Sequence, residues 1–456
     1  MSSVSVPARS DELSWTQRPG RELLRLAWPI TVSMLSYSTM TLASTAFVAQ
    51  IGADELAGVG LAAVVGFGLV CFGIGLLRGA KTLVSQAVGA GRRDRIPELL
   101  GGAVGLALAL GAAALVAGQL VAPLLATVSA SARAGGFAAE YLAIRSLGAP
   151  LILLYAALRE ASYGEGDTRT PMRAALAGNA VNIALDAVLI LGLGWGVAGA
   201  AVATICGNVA ELGVLAWPMR AQLRRMRWRP VAVREVWAQG VPNGLQFIME
   251  VGSFLILTVL VARMGAIDGA AHQLVLHLVN VSFLPAHALA EAAAVLVGQA
   301  VGANQDRLVT RVARGTLALG AGYSAICLAG FAVLGGMIVE AMSAGDAALA
   351  DRALTLLHVS FAFLVADAAN VIARGVLRGA SDVRYAAMVG IVTAWMTTPP
   401  LTWLLGVHAG LGVVGGWIGL ALEIVAGAAL YWRRIYRGGW KPAAAAARRS
   451  MAGAAV

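Results

Sequence analysis

The sequence predicts an all-α integral membrane protein with twelve transmembrane helices in two parallel six-helix lobes, related by a pseudo-twofold axis along the membrane normal. Three observations carry this. Of 456 residues, 59% are hydrophobic and 13% charged, and the mean hydropathy is +0.77, more apolar surface than a water-soluble globule can hide. Apolar runs of about 18 residues or more, enough to carry a helix across roughly 30 Å of hydrocarbon, repeat from end to end. Landmark residues of the first half recur in the second at a nearly constant offset. Strand-like alternation is absent, which excludes a membrane β-barrel.

In order, the apolar runs place spans at 24–49, 56–80, 98–127, 138–160, 171–192, 196–218, 239–262, 270–298, 309–340, 353–377, 384–406 and 411–433. Loops after even-numbered spans carry the basic residues: Arg92, Arg93 and Arg95, then Arg169 and Arg173, then the run from Arg220 to Arg234, then Arg307, Arg311 and Arg314, then Arg378 and Arg384. Loops after odd-numbered spans hold Asp54, Glu55, Asp268, Asp346 and Asp351. By the positive-inside rule the even loops and both termini are cytoplasmic. The net charge of +10 therefore sets topology and does not indicate nucleic acid.

The repeat divides the chain. Pro29 pairs with Pro242, Gly52 with Gly265, Gln86 with Gln299 and Gly89 with Gly302, each 213 residues apart, and Val-x-Gln-Ala-Val-Gly-Ala occurs in both halves. Further on, Gly164-x-x-Asp167-x-Arg169 matches Gly379-x-x-Asp382-x-Arg384, and Gly194-x-Gly196-Val-x-Gly199 matches Gly410-x-Gly412-Val-x-Gly415. Because each half holds an even number of spans, both enter the membrane from the same side. The expected organisation is a cytoplasmic tail at 1–20, an N-lobe at 21–219, a cytoplasmic linker at 220–237, a C-lobe at 238–437 and a cytoplasmic tail at 438–456. Two lobes with a cleft between them suit alternating access, and abundant glycine allows close helix contact.

Cys71, Cys206 and Cys327 lie singly inside apolar spans and read as small buried hydrophobes, not as disulfides or zinc ligands. Residues 1–20 are polar and no small-residue cleavage site follows the first apolar run, so a removable signal peptide fits poorly. No nucleophile with a base and an orienting group appears, which argues against an enzyme.

The chemistry concentrates in a few acids within spans. Asn179, Asn182 and Asp186 stand at i, i+3 and i+7 of one apolar helix and share a stripe. A charged Asp near the bilayer midplane costs about 2.5–3.5 kcal/mol, so such residues usually face a protein interior and handle ions or protons. Glu250 and Asp367 both lie roughly 10–16 Å from the cytoplasmic ends of their helices at about 1.5 Å per residue. They are expected to share a layer, where two acids either hold a cation between them or share a proton. Carboxylate, amide and hydroxyl oxygens suit Na+ as well as H+. Glu291, one turn after His287, reads as a packed or solvated pair with a secondary claim to proton relay. Glu211 and Glu423 read as solvated or ion-paired, and His272 and His277 as structural. Arg169, Arg378 and Arg384, with Asp167 and Asp382, read either as topological anchors or as latches of the inward side. Trp395 and Trp403 read as cavity rings that stack on planar cations or as interface anchors.

Several segments together resemble the multidrug and toxic compound extrusion (MATE) family. They are Gly164-Glu-Gly-Asp-Thr-Arg-Thr-Pro171, the Asn182-x-x-x-Asp186 stripe with Gly196-Val-Ala-Gly-Ala-Ala-Val-Ala-Thr204, Leu257-Thr-Val-Leu-Val-Ala-Arg-Met-Gly265 with Ala270-Ala-His-Gln273, Val297-Gly-Gln-Ala-Val-Gly-Ala303, and Leu377-Arg-Gly379 with Asp382. The resemblance runs from about Arg21 to Arg437. It implies a bacterial inner-membrane exporter, acting as a monomer among membrane lipids, that exchanges entering Na+ or H+ for a drug-like, often cationic, organic compound. No cofactor beyond the coupling ion is implied.

Residue by residue, the resemblance carries the family's N-lobe cation site onto Asn182, Asp186 and Thr204, and its C-lobe site onto Glu250 and Asp367, where Na+ is expected if a metal ion binds. Many members carry an Asp on the first helix where Ser44 stands here, ahead of Thr45. That missing carboxylate shifts the expected coupling site toward Glu250 and Asp367. The alternative within the wider superfamily is a lipid-linked saccharide flippase. It needs a cavity lined with Arg or Lys for a pyrophosphate, and the spans are expected to hold almost no central cations.

Overall fold

A computed structural model describes residues 13–129 and 131–453; the outermost parts of the expected tails, 1–12 and 454–456, lie outside the described residues. The described residues form fifteen α-helices: α1 (Pro19–Ala49), α2 (Ala53–Gly89), α3 (Ile96–Val128), α4 (Ala132–Ser146), α5 (Ala149–Glu165), α6 (Arg169–Asp186), α7 (Gly196–Arg224), α8 (Pro230–Met264), α9 (Ala266–Gly302), α10 (Asp306–Met342), α11 (Ala347–Phe361), α12 (Leu364–Gly379), α13 (Val383–Leu401), α14 (Val413–Tyr436) and α15 (Lys441–Gly453). Among the described residues nine helices are long and apolar enough to cross a membrane, and two bent pairs bring the number to eleven. The twelfth is α1, 31 residues long and about 46 Å at 1.5 Å per residue. It is the least apolar because Ser33, Ser36, Ser38, Thr39, Thr41, Ser44 and Thr45 line it. Most of these hydroxyls bond back to their own helix's carbonyls, as Thr41 does to Tyr37 at 3.0 Å.

The repeat seen in the sequence is a repeat of backbone shape. Span four bends by 49° between α4 and α5, and span ten by 52° between α11 and α12. The first bend has Gly148 and Pro150 to explain it; the second has neither. Spans five and eleven each end in a widened π-helical turn, Ala187–Gly192 and Thr402–His408. The turns that follow use left-handed residues at matching places, Gly196 at φ 55° and Gly412 at φ 60°. Where the N-lobe has Gly91 at φ 71°, the C-lobe has Asn304 at φ 58°, the non-glycine residue type that best tolerates that region. Of the segment expected as a linker, only residues 225–229 lie outside helix.

The lobes meet crosswise: α2 packs on α8 and α9, and α1 on α9. The contact is made at the end of the molecule that carries the basic loops. A side chain at Gly79 would meet the backbone of Gly240 at 2.8 Å, and one at Gly75 that of Gly244 at 2.9 Å. The repeated Gln-Ala-Val-Gly motif supplies the innermost contact, because Gly89 lies on Gln299 and its counterpart Gly302 lies on Gln86. Gln86 donates across the seam to the carbonyl of Gly379 at 3.1 Å and to Ser381 at 2.8 Å. Trp15 donates to Gln299 at 2.7 Å. Outside this layer α15 straddles both lobes: Trp440 and Ala444 sit in the C-lobe core and Met451 in the N-lobe core. Arg448 pairs with Asp306 at 2.9 Å, while Arg92 donates to the carbonyl of Met451 at 3.3 Å.

One ion cluster stitches the seam where it is most deeply buried. Lys81 on α2, 1% exposed, contacts Glu291 on α9 and reaches Glu160 on α5 at 3.3 Å. Arg159 holds the other oxygen of Glu160 at 2.9 Å. Arg378 and His287 flank Glu291 at 3.8 and 3.5 Å. Breaking a buried pair from one side strands a charge and costs about 3–5 kcal/mol. Lys81→Met is therefore expected to lower the melting temperature of the purified protein by a loss of that order, and Lys81→Met with Glu291→Gln to recover much of it. A single variant that melts with the wild type would show that this cluster does not hold the lobes together.

Candidate functional site

Away from the closed end the N-lobe opens around a cavity of about 590 Å³. Its walls come mainly from α1, α2, α4, α5, α6 and α7, with Ser44 of α1, Asn179 of α6 and Thr204 of α7 along one side. Its floor is the ion cluster, through Glu160, His287 and Glu291. The cavity and the gate beneath it thus share side chains.

The structure brings together the N-lobe residues that the sequence singles out. Ser44 on α1 donates its hydroxyl to the Oδ2 of Asp186 on α6. Asn182, oriented with its amide nitrogen toward the acid, donates to Asp186 Oδ2 and to Ser44 Oγ at 3.1 Å each, and its oxygen accepts from the Thr204 hydroxyl at 3.3 Å. Asn179, one turn earlier, donates to Ser36 at 2.7 Å. The absent first-helix carboxylate is thus replaced by a hydroxyl donor. Asp186 is fully buried, its Oδ1 has no partner, and among the described residues no Lys, Arg or His nitrogen lies within 4.0 Å of it. Close packing of α6 on α7, with Gly207 against Asn182, keeps water out of the acid's back side.

In the C-lobe the acids are spread over three helices. Glu250 on α8 is paired with Arg374 on α12 at 2.7 Å and accepts from Gln246 at 2.8 Å. Asp367 on α12 lies two turns before Arg374, half-buried and without an ion pair among the described residues. The layer in which Glu250 and Asp367 were expected to meet is therefore entered by a guanidinium that answers Glu250. Glu423 on α14 accepts from the Thr398 hydroxyl; it is hydrogen-bonded and not ion-paired, and Glu211 likewise has no ion pair among the described residues. Among the described residues no group of three or more His, Cys, Asp or Glu is placed to hold a metal ion.

Other side chains settle differently from expectation. Trp395 donates to the carbonyl of Met249 at 3.1 Å, next to Glu250. Trp403 is 56% exposed, stacked on His408 with ring centroids 5.9 Å apart, and borders a surface pocket beside the Asp268–Arg352 pair. Neither ring lines the N-lobe cavity. His272 is structural as expected, since Trp417 donates to its Nδ1 at 3.1 Å. His277 is exposed. Asp382 is tied to Arg434 at 2.9 Å and Asp167 caps the start of α6; Arg378 alone of the expected latch residues joins the buried cluster.

The expectation of almost no central cations is overturned. Arg78, Lys81, Arg159, Arg374 and Arg378 all sit inside the helical bundle, because α2 runs on to Gly89 and carries Arg78 and Lys81 with it. The apolar runs place Arg78, Arg159 and Arg374 in the last turns of spans two, four and ten, and Lys81 and Arg378 just past their ends. The signal that points to them is Glu160, an acid in the fourth span that needs a cation.

Comparison with known proteins agrees with this architecture. The MatE family model matches residues 29–188 and 242–404, which begin at Pro29 and its repeat partner Pro242. The probable multidrug resistance protein NorM of Bradyrhizobium diazoefficiens is 31% identical over 422 residues, covering 88% of this chain and 90% of that one. A protein of the same name from Deinococcus radiodurans is 31% identical over 437 residues, covering 91% and 95%. Among solved structures, MATE in complex with MaL6 superposes with a TM-score of 0.86 at 21% identity, covering 93% of this chain and 97% of that one. A MOP superfamily transporter from Pyrococcus furiosus gives 0.85 at 20% identity, with the same coverage. The curated relatives are named as resistance proteins and not as enzymes. The matched family model, the length of chain shared with the NorM proteins and the two-lobed helical fold lead to one assignment: this chain is a multi-pass membrane protein of bacterial type and belongs to the MatE family.

Proposed function

We propose that this protein is a secondary antiporter that exports amphipathic organic compounds, in the manner its NorM relatives' names suggest, in exchange for protons. By the positive-inside rule the basic-loop end faces the cytoplasm together with the described parts of both tails. The lobes are closed at that end, which supports reading this arrangement as outward-facing, with the N-lobe cavity toward the exterior. A single chain supplies the cavity, the gate and the acids.

The observation that carries the coupling is Asp186. A carboxylate with one oxygen unanswered in a dry, cation-free setting is costly to keep, and a proton on Oδ1 answers it. Its neighbours favour H+ over Na+, because Ser44 and Asn182 turn donors toward the acid whereas a metal ion needs acceptor lone pairs. Occupied by a proton, Asp186 no longer requires those donors, and α1, which carries Ser44 and lines the cavity, is released to repack. The substrate leaves as the wall moves. Glu250 serves a different end: with Arg374 on it, it holds α8 to α12.

In vesicles at clamped membrane potential, an outward-directed organic cation is expected to move under a pH gradient and not under a Na+ gradient. Asp186→Asn should abolish the pH-driven flux by at least about tenfold while still binding the compound, since amide and carboxyl have similar volume. Flux driven by Na+ alone, or unchanged in Asp186→Asn, would overturn proton coupling at this residue. Glu250→Gln is expected to act mainly on stability, because it strands Arg374 and costs about 1–3 kcal/mol. A Glu250→Gln protein that melts normally but has lost pH-driven flux would move the coupling site to the C-lobe.

A further inference from the structure

The C-lobe carries a pocket of its own, of about 630 Å³, apart from the N-lobe cavity. It lies where the ends of three elements come together: the last turn of α8, the π-helical turn Thr402–His408 with the loop to Gly412, and the first turns of α11. Its charged lining is Arg263, Asp268 and Arg352, and its apolar lining includes Trp403, Val407 and Leu411. The pocket is far from the seam. α8 meets the seam at Gly240, and Arg263 stands 23 residues further along that helix, about 35 Å at 1.5 Å per residue.

The pocket's acid is used up from within the protein, and its cations are not. Asp268 is buried; its Oδ1 takes Arg352 at 2.9 Å, and its Oδ2 accepts from the backbone N–H of Val413, the first residue of α14, at 3.4 Å. Arg352 stays exposed despite that contact, and Arg263 is exposed with no ion pair among the described residues. Of the nearby acids, Asp346 caps the start of α11 and Asp351 is not part of the lining. Two cations thus share the pocket with one acid. The loops after odd-numbered spans hold only three arginines, Arg133, Arg263 and Arg352; Arg133 lies beside Asp54 at 3.7 Å, and the other two line this one pocket. The fold alone does not call for them. At the offset of 213 Arg263 answers to Gln50 in the N-lobe, and at the offset of 215 Arg352 answers to Phe137, so the same turns are built there without a guanidinium.

Guanidinium groups match phosphate oxygens in charge and in donor geometry, and basic pockets between transmembrane helices take acidic headgroups. The apolar lining says which phosphate fits. Trp403, Val407 and Leu411 are 56%, 51% and 46% exposed at the end of a membrane span, the depth at which tryptophan sits among headgroups. A free phosphate ion would leave them uncovered, whereas a lipid covers them with its glycerol and upper acyl chain. We infer that this pocket binds an anionic phospholipid, its phosphodiester held by Arg263 and Arg352 and its chains beside Val407 and Leu411. A zwitterionic headgroup fits less well, because its ammonium group meets the same two cations. Since the pocket lies at the end away from the basic loops, the lipid belongs to the outer leaflet, and its binding does not depend on what the N-lobe cavity carries.

The test reads this pocket separately from the basic loops at the other end. The full chain is placed in nanodiscs that contain a photoreactive diazirine phosphatidylglycerol or, at the same mole fraction, the matching phosphatidylcholine, and labelled peptides are located by mass spectrometry. Labelling of the segment from Trp403 to Leu411 is expected to be about tenfold higher with phosphatidylglycerol, the usual scale for a charge-assisted hydrogen bond. Arg263→Gln, which leaves the Asp268–Arg352 pair intact, should remove most of that preference, Arg263→Gln with Arg352→Gln should remove all of it, and Arg263→Lys should keep part. Labelling of the exposed face of α10 serves as the reference and should not change. Equal labelling by the two lipids in the wild type, or a preference that survives in Arg263→Gln, overturns the site. Loss of the preference in excess inorganic phosphate would overturn the lipid as occupant and assign the pocket to a free anion. Should the double variant fail to fold, the wild type and Arg263→Gln still decide.

Discussion

Charge placed where water is scarce has to be met by charge, and Lys81 shows how much of the molecule follows from that. Its ammonium is buried between carboxylates that belong to different lobes, so the pairing exists only while the lobes are together. Glu160 keeps Lys81 and Arg159 within its own lobe, whereas Glu291 loses Lys81 when the lobes part and is left with Arg378 and His287. The same two acids form the floor of the cavity. A closed seam and a formed cavity floor are therefore one arrangement of atoms, and whatever approaches that floor acts on the seam.

The lobes can press this closely only because small residues line the crossing. Gly75 and Gly79 on α2 face Gly244 and Gly240 on α8, and the two copies of the Gln-Ala-Val-Gly motif face one another's turns. Small side chains let backbones approach so that van der Waals contact and short polar bonds replace hydrophobic burial, which drives nothing between helices in lipid. The bends in spans four and ten, near-equal at 49° and 52°, bring α5 and α12 inward so that Arg159, Glu160, Arg374 and Arg378 arrive at the seam together.

Much of this was legible in the sequence, and the exceptions have physical causes. Hydropathy and the 213-residue offset located all twelve spans, including the Ser/Thr-rich α1, whose Pro29 has its echo in Pro242. Helical spacing put Asn179, Asn182 and Asp186 on one stripe, and family resemblance added Ser44 and Thr204; Ser44, Asn182, Asp186 and Thr204 meet as one hydrogen-bonded set, with Asn179 one turn away on Ser36. The bend after Phe361 was not legible, because no proline or glycine stands there and packing imposes it. The π-helical ends of spans five and eleven carry no compositional mark either. Lys81 was hidden because the second apolar run ends at residue 80 although the helix does not, and Arg78 because a lone arginine in the last turn of that run looks like its boundary. A basic residue just past an apolar run looks like an anchor in headgroups until tertiary contacts show that it turns inward. Arg374 was visible as a residue, but not its pairing with Glu250, since that contact spans 124 positions of sequence.

The helix from Lys441 to Gly453 lies across both halves, with Ala444 and the preceding Trp440 in one core and Met451 in the other. A ribosome delivers it after every membrane crossing has been made. Until then the end of the molecule with the basic loops lacks this brace. A nascent chain stalled after α14 would hold two inserted halves that drift apart more freely than those of the finished molecule, and quality-control proteases would meet the basic loops uncovered.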